Sequence, residues 1–173
     1  MSLVRVAPST PAITLAEAKS QCRIDHDYDD ALLTVLISAA AAHAEKWTGT
    51  AFEPATWDLV LDRFPDAEVM IPLRPLASVE FVTFADADGV TQTVSPSDYI
   101  VDTASDDGWL VLPTGSSWPA ALEAINSVRV RFTVGRGTPD DARAAMLLMI
   151  GHWYANREAS SETKLDEIPL GAY

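Results

Sequence analysis

The sequence predicts an α+β protein in which N- and C-terminal helices pack as a small helical bundle with a β-sandwich-like insertion between them. Three observations carry this. Leu33, Leu36, Ile37, Ala40, Ala44 and Trp47 fall at helical spacing within Asp27–Gly49, so they share one stripe of a long helix. Ala142, Met146, Met149 and Trp153 repeat that spacing within Pro139–Arg157, with Ala145, Ile150 and Tyr154 beside them. Between these segments, about seven short runs with strand-like patterning are bounded by turn residues.

Taken in order, residues 1–13 carry Pro8 and Pro11 and read as an extended arm. Thr14-Leu15-Ala16-Glu17 is a capping box, which satisfies free amide donors at a helix start. A short helix follows from Leu15 to about Arg23, burying Leu15, Ala18 and Cys22. Asp25-His26-Asp27 turns the chain into the long helix. There Asp29 and Asp30 suit the positive end of the dipole and Lys46 the negative end. Gly49 supplies a left-handed C-cap. A helix of about 22 residues is about 33 Å long. Ala39–Ala42 keep its middle thin enough for close approach by another helix.

Pro54 blocks further helix. Strands are expected at 56–63, 68–72, 78–84, 90–94, 99–102, 109–112 and 127–134. Asp86-Ala87-Asp88-Gly89 and Ser105-Asp106-Asp107-Gly108 read as hairpin turns. The last strand is the clearest: Val128, Val130, Phe132 and Val134 face one way, Arg129 and Arg131 the other. Thr138 is then expected as N-cap with Pro139 at N1, where its missing amide costs nothing. The chain thus divides into an arm (1–13), a helical core (14–52 and 138–158), a β-rich insertion (53–137) and a flexible tail (159–173). Both termini are expected to order only on docking to a partner or a neighbouring copy, as foldable arms do.

Composition narrows the function classes. Hydrophobic residues make up 48% of the 173, which opposes disorder over most of the chain. The net charge of −13 opposes broad binding to nucleic-acid backbone, which needs clustered Lys and Arg. A single cysteine, Cys22, excludes an intrachain disulfide and a four-cysteine zinc site. No signal peptide is visible at the start of the chain, and the longest apolar run, Ala31–Ala44, is too short to span a bilayer. The expectation is a soluble, intracellular protein that makes no membrane contact.

No catalytic constellation, cofactor site or metal site emerges. His26 stands between two aspartates, but neighbours on a turn point apart and no second ligand pair follows at a known spacing. His43 and His152 would approach each other if the two long helices pack, as packed or interfacial residues. Gly135-Arg136-Gly137 precedes a helix like an anion cradle, yet no Gly-Lys-Ser/Thr follows and Asp140 and Asp141 repel phosphate. It reads as a tight strand-to-helix turn. Arg129, Arg131 and Arg136 form the one local basic patch, which reads either as a docking spot for an acidic partner or, as such rows more often are, as a solvated sheet face. Ile168, Leu170 and Tyr173 are apolar points in the tail that suit docking too. Two rival readings stand: a carbohydrate- or peptide-binding module using Trp57, Trp109 and Trp118, and an enzyme with an Asp/His site at His26.

One order of residues resembles a known family. It runs through Leu15-Ala16-Glu17-Ala18-Lys19, Arg23-Ile24-Asp25-His26-Asp27 and Asp30-Ala31-Leu32-Leu33. It continues with Glu45-Lys46-Trp47-Thr48-Gly49-Thr50-Ala51-Phe52, Pro72-Leu73-Arg74-Pro75-Leu76 and Asp86-Ala87-Asp88-Gly89, and closes with Val128–Phe132 and His152-Trp153-Tyr154-Ala155-Asn156-Arg157-Glu158. This is similar to the head–tail connector, or adaptor, proteins of long-tailed bacteriophages and gene transfer agents, over roughly residues 13–160. Trp47 stands where the family often has Tyr or Phe.

The resemblance implies a structural virion protein, not an enzyme. Such adaptors form a ring beneath the portal, a dodecamer in the particle, and link the DNA-filled capsid to the stopper or tail-completion protein. DNA then passes through the channel without specific binding. The implied location is the head–tail interface of the virion, after synthesis in the bacterial host cytoplasm. Asp29, Asp30, Asp140 and Asp141 would contribute to a negative channel wall that does not grip DNA.

Overall fold

The computed structural model describes residues 1–7, 10–105 and 107–156. The tail positions Ile168, Leu170 and Tyr173 lie outside the described residues.

Local chemistry sets the helices. Thr14 and Glu17 cap α1 (Leu15–Cys22) reciprocally: the Glu17 amide donates to Thr14 Oγ1 at 3.3 Å and the Thr14 amide to Glu17 Oε2 at 2.8 Å. Arg23, in the left-handed region at φ 57°, ends it. α2 (Asp30–Thr48) begins after Asp29 and ends at Gly49, whose φ of 65° is the left-handed C-cap expected of it. α3 (Asp140–Ala155) starts one residue later than expected, with Pro139 at the cap. Thr138 does not cap it; its hydroxyl donates instead to Glu53 at 2.6 Å.

The three helices share one buried core of Ala18, Leu33, Ile37, Ala40, Met146 and Ile150, closed by Ala12, Ile13 and Phe52 from the adjoining segments. Leu36 and Met149 pack against this same core. Two expected core positions differ. Trp47 is 84% exposed: it keeps the same side of α2 as Ala40 but lies in the last turn, beyond the last buried residue of that helix. Ala145 is exposed on the outer side of α3. Neither α2 nor any other described helix is long and apolar enough to cross a membrane.

The strands are β1 (Ser2–Ala7), β2 (Ala55–Leu61), β3 (Val69–Ile71), β4 (Leu76–Ala85), β5 (Thr91–Thr93), β6 (Ile100–Asp102), β7 (Gly108–Val111) and β8 (Val128–Val134). They form a five-stranded sheet in the order β1-β2-β8-β4-β5 and a three-stranded sheet in the order β3-β7-β6, every pair antiparallel. One face of the larger sheet and the smaller sheet bury a common core that includes Leu59, Val82, Val130, Phe132 and Val134 with Val69, Ile71 and Leu110. The alternation read for β8 holds: Val128, Val130, Phe132 and Val134 are buried, whereas Arg129 is exposed and Arg131 half-buried. β1 is the strand that periodicity missed. It is exposed along its whole length, so it carries no buried alternation, and it is defined by pairing Leu3 with Leu59 and Val4 with Asp58.

The sheet and helices meet at Gly135. Its φ is 90°, and a Cβ there would lie 2.4 Å from the Glu53 carbonyl oxygen. Only glycine fits, because both the torsion and the backbone contact forbid a side chain. The Gly135 amide donates to Pro75 O at 3.0 Å and the Gly137 amide to Phe52 O at 2.8 Å. Gly135-Arg136-Gly137 is thus the tight strand-to-helix turn, with its first and last amides spent on the chain itself.

Candidate functional site

Three clusters of polar side chains tie the elements together. The first clasps the helices. Arg143 of α3 donates to the Ala12 carbonyl at 2.7 Å and pairs with Glu17 of α1. The hydrogen bonds from the Thr14 hydroxyl and amide, then that from Arg143, hold the Glu17 carboxyl at a pKa of about 2. Lys19 bridges Asp27 at 2.6 Å and Asp30 at 2.5 Å across the α1–α2 turn. Those contacts push the Lys19 pKa up, and Lys19 holds the Asp27 carboxyl low. Tyr154, near the end of α3, donates to the Asp29 carboxylate at the start of α2.

The second cluster builds the corner after α2. Glu45 accepts the Phe52 amide at 3.0 Å, Thr48 bonds back to Ala44 O at 2.9 Å, and Arg74 Nε donates to Gly49 O at 2.9 Å. The Glu45–Gly49 and Leu73–Leu76 motifs therefore meet at one turn, 25 residues apart in the chain.

The third lies on the larger sheet, on the face away from its core. Asp58 of β2 is 4% exposed. Arg131 of β8 grips it with two bonds, at 2.8 and 3.0 Å, and lies 4.8 Å from the centre of the Phe81 ring. The bonds to Asp58 push the Arg131 pKa up. Arg129 Nη1 stands 3.5 Å from the same carboxylate, with 51% of its side chain exposed.

The expected basic trio is therefore divided. Arg129 and Arg131 share Asp58, whereas Arg136 donates elsewhere, to Leu76 O at 3.0 Å and Thr103 O at 2.7 Å. Asp58, Arg74, Arg143, Glu45 and Glu53 carry the polar framework and escaped sequence reasoning. Their partners lie on distant elements, and only the motifs that hold Glu45 and Arg74 gave any signal.

The rival sites fare otherwise. Trp118 donates to Ala67 O at 2.9 Å and stacks on Phe64 at 4.8 Å, while Arg5 lies over Trp57 at 5.6 Å. Trp57 and Trp118 pack against the sheet core, and Trp109 is half-buried in β7. A depression of about 540 Å³ beside Trp118 is lined by Gln92, Ser95, Ser97, Asp98 and Ser117 among others, and Ser97 donates its hydroxyl to Asp98 there at 3.3 Å. His26 is exposed on its turn, 5.4 Å from the Tyr28 ring, an exposure that the enzyme reading at this residue does not survive. His43 meets Trp153 edge-on at 6.3 Å, not His152, which is exposed and bonded to Asn156. Cys22 packs half-buried against the helical core, and burial pushes its thiol pKa up.

What these clusters build is a scaffold of braced corners. Comparison with known families agrees: residues 12–107 match the phage gp6-like head-tail connector proteins. This chain belongs to that family. The connector's fold is also similar to solved structures of gene transfer agent (GTA) particles. A chain from the neck of an empty GTA particle, computed with C6 symmetry, is 24% identical with a TM-score of 0.76, covering 95% of this chain and 89% of that one. A chain from the virion of a native GTA particle is 23% identical with a TM-score of 0.74, over 95% and 90%. One from the neck of a native GTA particle, computed with C12 symmetry, is 23% identical with a TM-score of 0.72, over 98% and 91%. A comparison with curated proteins returns no match. The connector's role is structural, at the junction of head and tail, and the tryptophan-based binding module has no support.

Proposed function

We propose that this connector assembles as a twelve-membered ring beneath the portal and joins the DNA-filled capsid to the stopper or tail-completion protein. The family match over residues 12–107 carries the reading. The likeness to a chain from a GTA neck computed with C12 symmetry supports the ring size. On this reading the protein is made in the bacterial cytoplasm and ends at the head–tail interface, without catalysing a reaction. Residues 14–52 and 138–158 act as the helical bundle, 53–137 as the sandwich-like insertion between its halves, and 159–173 as an arm toward the portal or a neighbour; the segment 1–13, expected from sequence to be an arm, instead pairs Ser2–Ala7 with β2 and buries Ala12 and Ile13 in the helical core. Arg129, with Arg131 beside it on Asp58, and Arg136 separately at the other end of β8 serve partner docking, as do Ile168, Leu170 and Tyr173 in the tail.

Acidic side chains line the DNA channel. Asp140 and Asp141, exposed in the first turn of α3, suit that place. Asp29 and Asp30 suit it less, since Tyr154 and Lys19 engage them. A like-charged wall releases no counterions and so does not hold DNA. Deleting the gene in the particle-producing strain tests the role. Filled heads without tails, restored to whole particles by the gene in trans, are expected. Tailed particles from the deletion strain would contradict it.

A further inference from the structure

We propose that the outer face of the five-stranded sheet is where the neighbouring copy packs in the ring, with Arg129 seated against the Asp25–Tyr28 turn of that copy. This rests on the ring reading above. The strand register places three rows across the face: Ser2-Val60-Arg129-Thr83, Val4-Asp58-Arg131-Phe81 and Ala7-Thr56-Thr133-Ser78. The opposite face carries the shared core; on this one Val4 and the Arg129 side chain are each 51% exposed and stand above Asp58 and Val60, which are buried.

The charges on this face balance one another. Its rows hold Asp58, Arg129 and Arg131, and Glu80 borders it as the acceptor of Thr133. Counted together they are neutral, on a chain of net charge −13. Copies that repel each other as wholes approach best through such a face, and cations set against carboxylates fix the orientation. Arg131 is spent on Asp58 through two bonds, whereas Arg129 makes one long contact and keeps further donors toward solvent. Two arginines sharing one buried aspartate are too few for a nucleic-acid backbone, which calls for several unpaired cations. They suit a carboxylate held in one place.

The Asp25–Tyr28 turn offers that chemistry. It carries Asp25 and Asp27 with Tyr28, 93% exposed, beside them. Lys19 engages Asp27, which leaves Asp25 as the carboxylate for Arg129. Beside Arg129 a depression of about 380 Å³ lined by Phe81, Thr83, Phe84 and Thr91 receives an aromatic side chain. Arginine and tyrosine are the side chains that most often anchor such contacts. The turn belongs to the helical part, while Arg129 lies at the end of β8 away from α3. The contact thus joins unlike patches, as a closed cyclic ring requires.

A double-mutant cycle tests this, using Arg129→Gln and Asp25→Asn, which neutralise without adding repulsion beside Asp58. Ring formation on the portal is followed by mass photometry across protein concentration, with thermal unfolding of each variant confirming the fold. Each single change is expected to raise the concentration for half-assembly about tenfold, and the double change scarcely further, because the two groups act as one contact. Arg129→Lys keeps most of the assembly. Unchanged assembly in Arg129→Gln, or independent effects that multiply in the double variant, would overturn the pairing while leaving the ring intact. Absence of a ring from the unmodified protein would instead overturn the ring reading, and this inference with it. Loss of portal or stopper binding with free rings unaffected would assign the face to another protein and also overturn it.

Discussion

Glu17 shows how much a single side chain does in this scaffold. It caps α1 and receives Arg143 from α3. With its folded pKa near 2 against an ordinary value of 4.5, ionised Glu17 contributes stability that is present above about pH 4.5 and lost as pH falls through about 2. Glu17→Gln should therefore unfold at lower urea than the parent at pH 7, and the gap should close as pH approaches 2. Urea titrations at a series of pH values would show this; a gap that is constant with pH would count against the ionised cap. Thr14 and Glu17 were legible in the sequence because the capping box is local. Asp58 and Arg131 were not, because the register that sets them opposite each other joins strands 73 residues apart. Sequence showed Arg131 only as one of a row of cations; its two bonds to Asp58 within the same chain appear once the sheet is assembled.

At the scale of elements, the helices and most of the strands were readable because each has a period and punctuation of its own. α2 ends at its glycine and β8 alternates as written. β1 lacked the signal because exposure along its whole length leaves no apolar face to alternate. The α2–α3 contact depends on a small residue at its centre. Ala40 is fully buried beside Met146 and Ile150. Ala40→Leu adds volume where none is free and should cost about 1–3 kcal/mol. Urea unfolding followed by tryptophan fluorescence would measure it, and an unchanged midpoint would mean that α2 and α3 meet less closely than described. The same crowding predicts that α2 and α3 unfold as one unit.

Across the whole molecule, sequence gave access to the α+β class and to two helical segments that come together from opposite ends of the chain. It did not give access to sheet order. Strand β8 sits between β2 and β4, an arrangement set by long-range pairing and not by any local pattern. The face that this order creates, with Asp58 buried beneath two arginines, exists only in the assembled sheet, so its bearing on partners was hidden too. What persists from sequence to structure is a molecule whose polar side chains are spent on bracing its own corners, with its function in the surfaces left over. Electron cryo-microscopy of the protein mixed with its own portal tests that account most directly. It predicts a closed ring of this protein, sharing the portal's rotational symmetry and seated on one side of it around an open channel. Portal particles with no added density, or with single copies scattered on their surface, would contradict it.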